Sequence, residues 1–140
     1  MTRRRRDPRG QGLVEFAIAI TIFLTLLIGI VDLARGVYTF NGVAEAAREI
    51  TRETSVHIGT GGAGASAETA AMVATQRGLV PGLSVTSYTC VDLSGTPVTH
   101  TCRPGDWVRV DVQAPFQPVL PFLAAFGPII LTSASSAEIQ

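Results

Sequence analysis

The fold of this chain is decided by residues 10–35, GQGLVEFAIAITIFLTLLIGIVDLAR. Residues 13–31 form a run of nineteen residues in which Glu15 is the only ionisable side chain. At 1.5 Å per residue a helix of this length spans roughly 28 Å, close to the hydrocarbon thickness of a bilayer. A carboxylate at the centre of such a helix costs about 2.5–3.5 kcal/mol and less near the interface. We therefore predict a membrane span in which Glu15 has a function.

The residues before the run are strongly basic. Residues 1–10 contain five arginines and one aspartate, a net charge of +4, and because the whole chain has a net charge of zero the remainder carries −4. The positive-inside rule predicts that residues 1–10 stay in the cytoplasm while the following chain crosses the membrane. A removed signal peptide fits less well, since the run is long and is followed by Asp32 to Arg35 rather than by a small-residue cleavage site. The acidic remainder argues against a nucleic-acid partner.

Several motifs resemble those of a known family. The segments RGQGLVEFA (9–17), GIVDLAR (29–35) and AARE (46–49) resemble the TadE-like (TadE/TadF) pseudopilins of tight-adherence, or Flp-type, pilus systems. Near the C-terminus GDWVRV (105–110) and Pro115-Phe116 are similar as well, whereas about residues 55–100 show no resemblance. The resemblance implies a minor pilin or pseudopilin precursor with a type IV pilus-like pathway.

The resemblance also implies particular site residues. A prepilin peptidase would cut after Gly10 and leave Gln11 as the new N-terminus, with Glu15 as the fifth residue. The new α-ammonium group cannot rest unpaired in hydrocarbon, and Glu15 of a neighbouring subunit would neutralise it and set the register between subunits. Many type IV pilins carry an aromatic residue where this chain has Gln11. The implied partners are the membrane, the prepilin peptidase, other pilin or pseudopilin subunits and the pilus assembly platform.

Signatures of catalysis are missing from the sequence. No serine, histidine and acid stand in a nucleophile motif, and no metal-binding or nucleotide-binding constellation occurs. We predict that the protein is not an enzyme and uses no cofactor or metal. The alternative to a pilin is an uncleaved single-span membrane protein with an extracytoplasmic binding domain. On both interpretations the chain is a single-pass protein of the inner membrane with a cytoplasmic N-terminus, and the pilin interpretation adds incorporation into a pilus.

Beyond the membrane the helix is predicted to continue. We assign residues 1–10 to a basic leader, 11–32 to the membrane span, 33–57 to its extracytoplasmic continuation, and 58–140 to a small domain. Apolar residues recur at helical spacing along the continuation at Leu33, Val37, Phe40, Ala44, Ala47 and Ile50. This stripe is covered either by the chain's own domain, which we favour, or by neighbouring subunits. Glu45/Arg48 and Glu49/Arg52 are spaced for weak ion pairs on the solvated face.

The small domain is predicted to be α+β. A glycine-rich segment, residues 59–64, would end the long helix, and a short helix would start at Ser66 and run to Gln76, with Gly78 as its stop. Strands are expected near residues 83–92, around 108–112 and near 129–139. The second of these is the clearest, because Val108, Val110 and Val112 alternate with polar residues. Helix first and strands later predict an antiparallel sheet against the long helix.

Cys90 and Cys102 are the only cysteines. Both fall on the exported side of the membrane and flank a predicted hairpin, which favours a disulfide. A metal site formed with His100 is the weaker alternative, because a fourth ligand is missing. His57 is isolated and is expected on the surface at the helix end.

The remaining predictions concern contact surfaces. Phe16, Gly29 and Gly36 are the expected helix-packing positions, since small residues let helices approach closely. Residues 115–131 are apolar but contain four prolines, which excludes a second membrane span. Two interpretations remain open for this segment. It is either an irregular segment folded over the core, or a surface that contacts another subunit through Phe116, Phe122 and Phe126.

Overall fold

The computed structural model describes residues 8–58, 62–125 and 127–140. It contains a long helix α1 (Pro8–Val56), the helices α2 (Ala67–Leu79) and α3 (Pro121–Ala124), and the strands β1 (Ser84–Val91), β2 (Trp107–Phe116) and β3 (Ile129–Glu138). The three strands form an antiparallel sheet in the order β1-β2-β3. The predicted α+β fold is confirmed.

Helix α1 contains 49 residues, a length of roughly 74 Å. Every residue from Gly10 to Ile28 is exposed, so the folded domain covers none of this segment. In the described part of the chain, α1 is the one helix that is long and apolar enough to cross a membrane. The first half of α1 thus projects as a bare apolar rod.

The second half of α1 carries the hydrophobic core. Four of its residues and four residues of β2 form the centre of this core, all with 0–1% exposure: Val43, Ala46, Ala47, Ile50, Val108, Val110, Val112 and Ala114. Burying a valine or isoleucine side chain contributes about 1.5–3 kcal/mol. The folded domain is therefore built on the C-terminal half of the long helix.

The predicted stripe divides into two parts. Ala47 and Ile50 are buried by the chain's own sheet, whereas Leu33, Val37 and Phe40 stay 48–70% exposed. The chain's own domain therefore covers the part of the stripe at Ala47 and Ile50, as we favoured, and leaves the part next to the predicted membrane span open. Coverage of this open part by neighbouring subunits stays a prediction.

The strands follow the predicted pattern. Val108, Val110 and Val112 face the core, while Arg109 between them is exposed. Strand β1 pairs with β2 from Ser84↔Gln113 to Val91↔Trp107, with an irregularity between Val85 and Ser87. Because β2 lies between the two other strands, its inward side chains are the most completely covered.

The helix boundaries require two corrections. The hydroxyl of Ser66 accepts a hydrogen bond from the amide of Thr69 at 3.0 Å, so the predicted start of α2 is confirmed. The predicted stop at Gly78 is wrong, because the helix continues through Gly78 to Leu79 and ends at the extended residue Val80. Pro81 follows, and a proline disfavours helical geometry in the residue before it.

Helix α1 also ends before the glycine-rich segment that was predicted to stop it. Its last residue is Val56, and residues 59–61 lie outside the described residues. His57 follows the helix end, is exposed, and lies 3.0 Å from Glu53 through its Nδ1 atom. The Glu45/Arg48 and Glu49/Arg52 pairs are present at 2.8 and 3.6 Å.

Cys90 and Cys102 form a disulfide with a Cα–Cα separation of 5.8 Å. It ties the end of β1 to the loop that leads into β2, at the end of the sheet where Val91 also bridges Pro97. The predicted disulfide is confirmed, and it removes both thiolates from the alternative metal site. His100 lies 3.5 Å from Asp106 instead.

Candidate functional site

The expected processing site lies in the first turn of α1. Gly10 and Gln11 are both exposed there. Gly10 and Gly12 each lower helix stability by about 0.8–1.0 kcal/mol relative to alanine. The turn that contains the Gly10–Gln11 bond is therefore easy to open into the extended form that a peptidase needs.

Glu15 lies one helical turn after Gln11 and is exposed. Residues four apart share a helix face, so the carboxylate and the N-terminus that cleavage would create lie on the same side of α1. The rise between them is about 6 Å. An offset of one turn between neighbouring helices would bring the carboxylate of one chain to the α-ammonium group of the next.

The three predicted helix-packing positions have different surroundings. Phe16 is 66% exposed and lies on the open part of the helix. Gly29 is partly buried, although a Cβ added there would meet nothing within 4 Å. Gly36 instead faces the ring of Phe116, whose Cζ atom would lie 3.6 Å from an added Cβ. Within this chain Gly36 packs against the end of the sheet.

A buried carboxylate lies directly after the apolar run. Asp32 is only 4% exposed, and its Oδ2 atom accepts hydrogen bonds from the backbone amides of Val119 at 2.8 Å and Leu120 at 2.7 Å. Its Oδ1 atom pairs with Arg35 at 3.2 Å. Hydrogen bonds to charged groups contribute about 1.5–3 kcal/mol each. Asp32 therefore fixes the loop between β2 and α3 to the long helix.

A second contact supports the same junction. The guanidinium of Arg35 lies 5.7 Å from the centroid of the Phe116 ring, a cation–π geometry that contributes about 0.5–1 kcal/mol at an exposed site. We call this set the Asp32 junction, and it consists of Asp32, Arg35, Gly36, Phe116, Val119 and Leu120. It connects the membrane end of the helix to the end of the sheet.

Sequence reasoning missed the role of Asp32. The available signal was its place inside GIVDLAR, immediately after the apolar run and three residues before Arg35. Its hydrogen-bond donors lie 87 and 88 residues further along the chain. No local pattern predicts contacts over that separation.

An apolar groove of about 530 Å³ opens beside the Asp32 junction. Its helical wall includes Leu33, Val37 and Phe40, and its other wall includes Phe116 and Ile129. Of the predicted partner surface, Phe116 thus lines a groove, whereas Phe126 and the side chain of Phe122 lie outside the described residues. Among the described residues of 115–131, Pro118 and Leu120 are buried while others are exposed, and contact of this segment with another subunit stays a prediction.

The described residues contain no group of three or more histidine, cysteine, aspartate or glutamate side chains that could hold a metal ion. Among the polar features of the described residues, the Asp32 junction and the exposed Gly10–Glu15 segment lie next to the apolar run. Both belong to the long helix, and both suit attachment and positioning of the chain.

Comparison with known proteins gives one match. The family model described as TadE-like protein matches residues 10–52, which begin at the glycine before the expected cleavage site and include Glu15 and Asp32. This match confirms the resemblance of the motifs between residues 10 and 52, whereas GDWVRV (105–110) and Pro115-Phe116 lie outside it. No curated protein and no solved structure matches the chain.

Proposed function

We propose that this TadE-like chain is a minor pilin or pseudopilin precursor that takes part in the assembly of a tight-adherence (Flp-type) pilus. The family match and the single apolar helix together indicate a pilus-associated protein with an N-terminal membrane span. The observation that carries the proposal is the division of α1: a bare apolar first half and a second half that carries the domain. Large exposed apolar surfaces are interaction sites.

The charge distribution supports one orientation. The leader of net charge +4 remains in the cytoplasm, and the domain lies outside the inner membrane. The Cys90–Cys102 disulfide agrees with this orientation, since disulfides form and persist in oxidising compartments.

In the proposed pathway a prepilin peptidase cuts after Gly10. The new N-terminus at Gln11 then pairs with Glu15 of a neighbouring pilin or pseudopilin subunit as the helices leave the lipid. The exposed Phe16 and the partly exposed Gly29 pack against other helices, and the assembly platform receives the processed chain. The open part of the stripe, at Leu33 and Val37, adds contact area just outside the membrane.

Glu15→Gln tests this role. The substitution keeps the size and the hydrogen-bonding capacity of the side chain but removes the charge that would pair with the α-ammonium group. In a strain that lacks the native gene, we expect normal membrane levels of the variant but loss of pilus assembly and of co-purifying pilin subunits. Glu45→Gln is the matched control, because Glu45 lies on the exposed face of the same helix in an ion pair with Arg48.

Comparison of the two variants distinguishes a pilin subunit from an uncleaved single-span membrane protein. Assembly that is unchanged by Glu15→Gln would contradict the registration role and favour an uncleaved single-span protein with a binding domain. Assembly that is lost equally in the Glu45→Gln control would show a general dependence on charge along the helix.

A further inference from the structure

We infer that the base of the folded domain rests in the lipid interface through an exposed apolar surface, the basal patch, formed by Val119, Leu123, Ile129 and Ile130. These side chains are 36–62% exposed. The occupant of this surface is the bilayer itself. The inference goes beyond the proposed role in pilus assembly and rests only on insertion of α1 into the membrane.

The first argument is the level of the patch along the helix. The apolar run ends at Val31, and the next residue, Asp32, accepts hydrogen bonds from the amides of Val119 and Leu120. The loop backbone is thus held at 2.7–2.8 Å from the residue that marks the hydrocarbon boundary. Ile129 and Ile130 lie at the same end of the sheet, because they pair with Phe116 and Pro115.

The second argument is charge. The chain has no ionisable residue from Val112 to Ala137, a segment that includes the end of β2, the loop with α3 and the start of β3 at this end of the domain. The opposite end of the sheet, residues 92–106, carries Asp92, His100, Arg103 and Asp106. This distribution of charge is expected for a domain whose apolar end contacts the membrane interface and whose charged end faces water. Arg35, about 4.5 Å further along the helix axis than Asp32, lies at the level expected for phosphate headgroups.

The third argument is the backbone. Amides that enter lipid must have acceptors within the protein. The amides of Val119 and Leu120 donate to Asp32, those of Leu123 and Ala124 donate to the carbonyl of Leu120, and that of Gly127 donates to Ala124. The prolines of this segment, Pro118, Pro121 and Pro128, have no amide hydrogen at all. The proline content that excludes a second span thereby suits an interfacial loop.

The experiment uses the full chain in phosphatidylcholine/phosphatidylglycerol nanodiscs, with one copy per disc. Single cysteines replace Val119 or Leu123 and are labelled with an environment-sensitive fluorophore without reductant, so that the Cys90–Cys102 disulfide stays closed. Leu93→Cys is the matched control, because Leu93 is an apolar residue, 88% exposed, in the turn at the opposite end of the sheet. Ile22→Cys reports membrane insertion of α1.

We expect labels at 119 and 123 to be quenched by lipids with a nitroxide near the headgroup and to be several-fold less accessible to aqueous iodide than the label at 93. Iodide accessibility at 119 and 123 equal to that at 93, with position 22 quenched by lipid, would overturn the basal contact while leaving insertion intact. Protection that develops only in discs with two or more copies would overturn it in favour of a second chain. A label at 22 that reports water would overturn insertion itself and with it the anchored pilin proposal.

Discussion

Asp32 is the residue on which the position of the domain depends. Its carboxylate is buried, yet it has three donors: two backbone amides and the Arg35 guanidinium. A buried charge without such partners is strongly destabilising. The arrangement lets a carboxylate lie at the end of an apolar run while it anchors a loop that is distant in sequence.

We predict that Asp32→Ala detaches this loop. Loss of two charge-assisted hydrogen bonds should reduce the local free energy of opening by about 3–6 kcal/mol, whereas Glu45→Ala on the exposed face should change it by about 0–1 kcal/mol. Hydrogen exchange at the amides of Val119 and Leu120 in detergent-solubilised protein measures the effect. Unchanged protection at both amides in Asp32→Ala would show that other contacts hold the loop.

Position 64 requires glycine for two reasons, the left-handed backbone conformation and the close approach of a neighbouring ring. The φ of Gly64 is +83°, and a Cβ added there would lie 2.6 Å from the ring of Tyr88. Gly95 has a similar φ of +81° but nothing within 4 Å of an added Cβ. The two glycines form a matched pair that separates backbone strain from steric overlap.

We predict that Gly95→Ala destabilises the domain by about 1–2 kcal/mol through left-handed strain alone. Gly64→Ala should lower the free energy of unfolding by about 1–3 kcal/mol more than Gly95→Ala does, because the Tyr88 ring must move. Urea unfolding of both variants in the same detergent gives the difference. Equal losses in the two variants would mean that the ring moves aside freely and that the close approach is unimportant.

At the scale of elements, strong local patterns made much of the fold predictable. The alternating valines of β2 predicted an element with one buried face, and Ser66 predicted the start of α2 through its side-chain oxygen. The end of α2 was predicted wrongly at Gly78. A glycine is tolerated inside the last turn of a helix, and here the helix ends at Leu79 because Pro81 disfavours helical geometry at Val80. The core positions Val43 and Ala46 were missed, since the sheet that covers them is a tertiary feature that selects one face of α1.

The candidate site was predictable to a different degree. The roles of Gly10, Gln11 and Glu15 are implied by the family resemblance and stay predictions. The Asp32 junction was not predicted, since its hydrogen bonds join α1 to a loop near the other end of the chain. The division of the apolar stripe at about Phe40 also depends on where the sheet ends, which spacing along one helix does not specify.

The disulfide stabilises the element that leads from β1 into β2. Cys90 and Cys102 are 12 residues apart, and closing a loop of this size contributes about 3 kcal/mol in the chain-entropy description. We predict that the double variant Cys90→Ala/Cys102→Ala loses roughly that amount in urea unfolding while the Asp32 junction stays intact. Equal unfolding midpoints for the variant and the oxidised protein would contradict this estimate. Reduction of the native protein by dithiothreitol provides a second measurement of the same quantity.

At the scale of the whole molecule, three surfaces follow one another along the axis of α1. The apolar rod, residues 13–31, suits lipid or packed helices, the Asp32 junction fixes the loop between β2 and α3 to the residue after this rod, and the charged end of the sheet points away. This order of surfaces suits a subunit whose apolar rod first contacts lipid in the membrane and later contacts the helices of neighbouring subunits. On the proposed pathway its N-terminal ten residues set the orientation and are then removed.

Removal of that leader is the central claim, and the intact mass with the N-terminal sequence of the protein from native membranes tests it most directly. We predict that the native protein begins at Gln11. A Gly10→Leu variant should keep its leader, because a side chain at this position blocks close approach of the peptidase to the backbone. Gly29→Leu is the matched control, since Gly29 lies in the same helix with open space around it. A native chain that retains its arginine leader would contradict the processing and leave α1 as a permanent anchor.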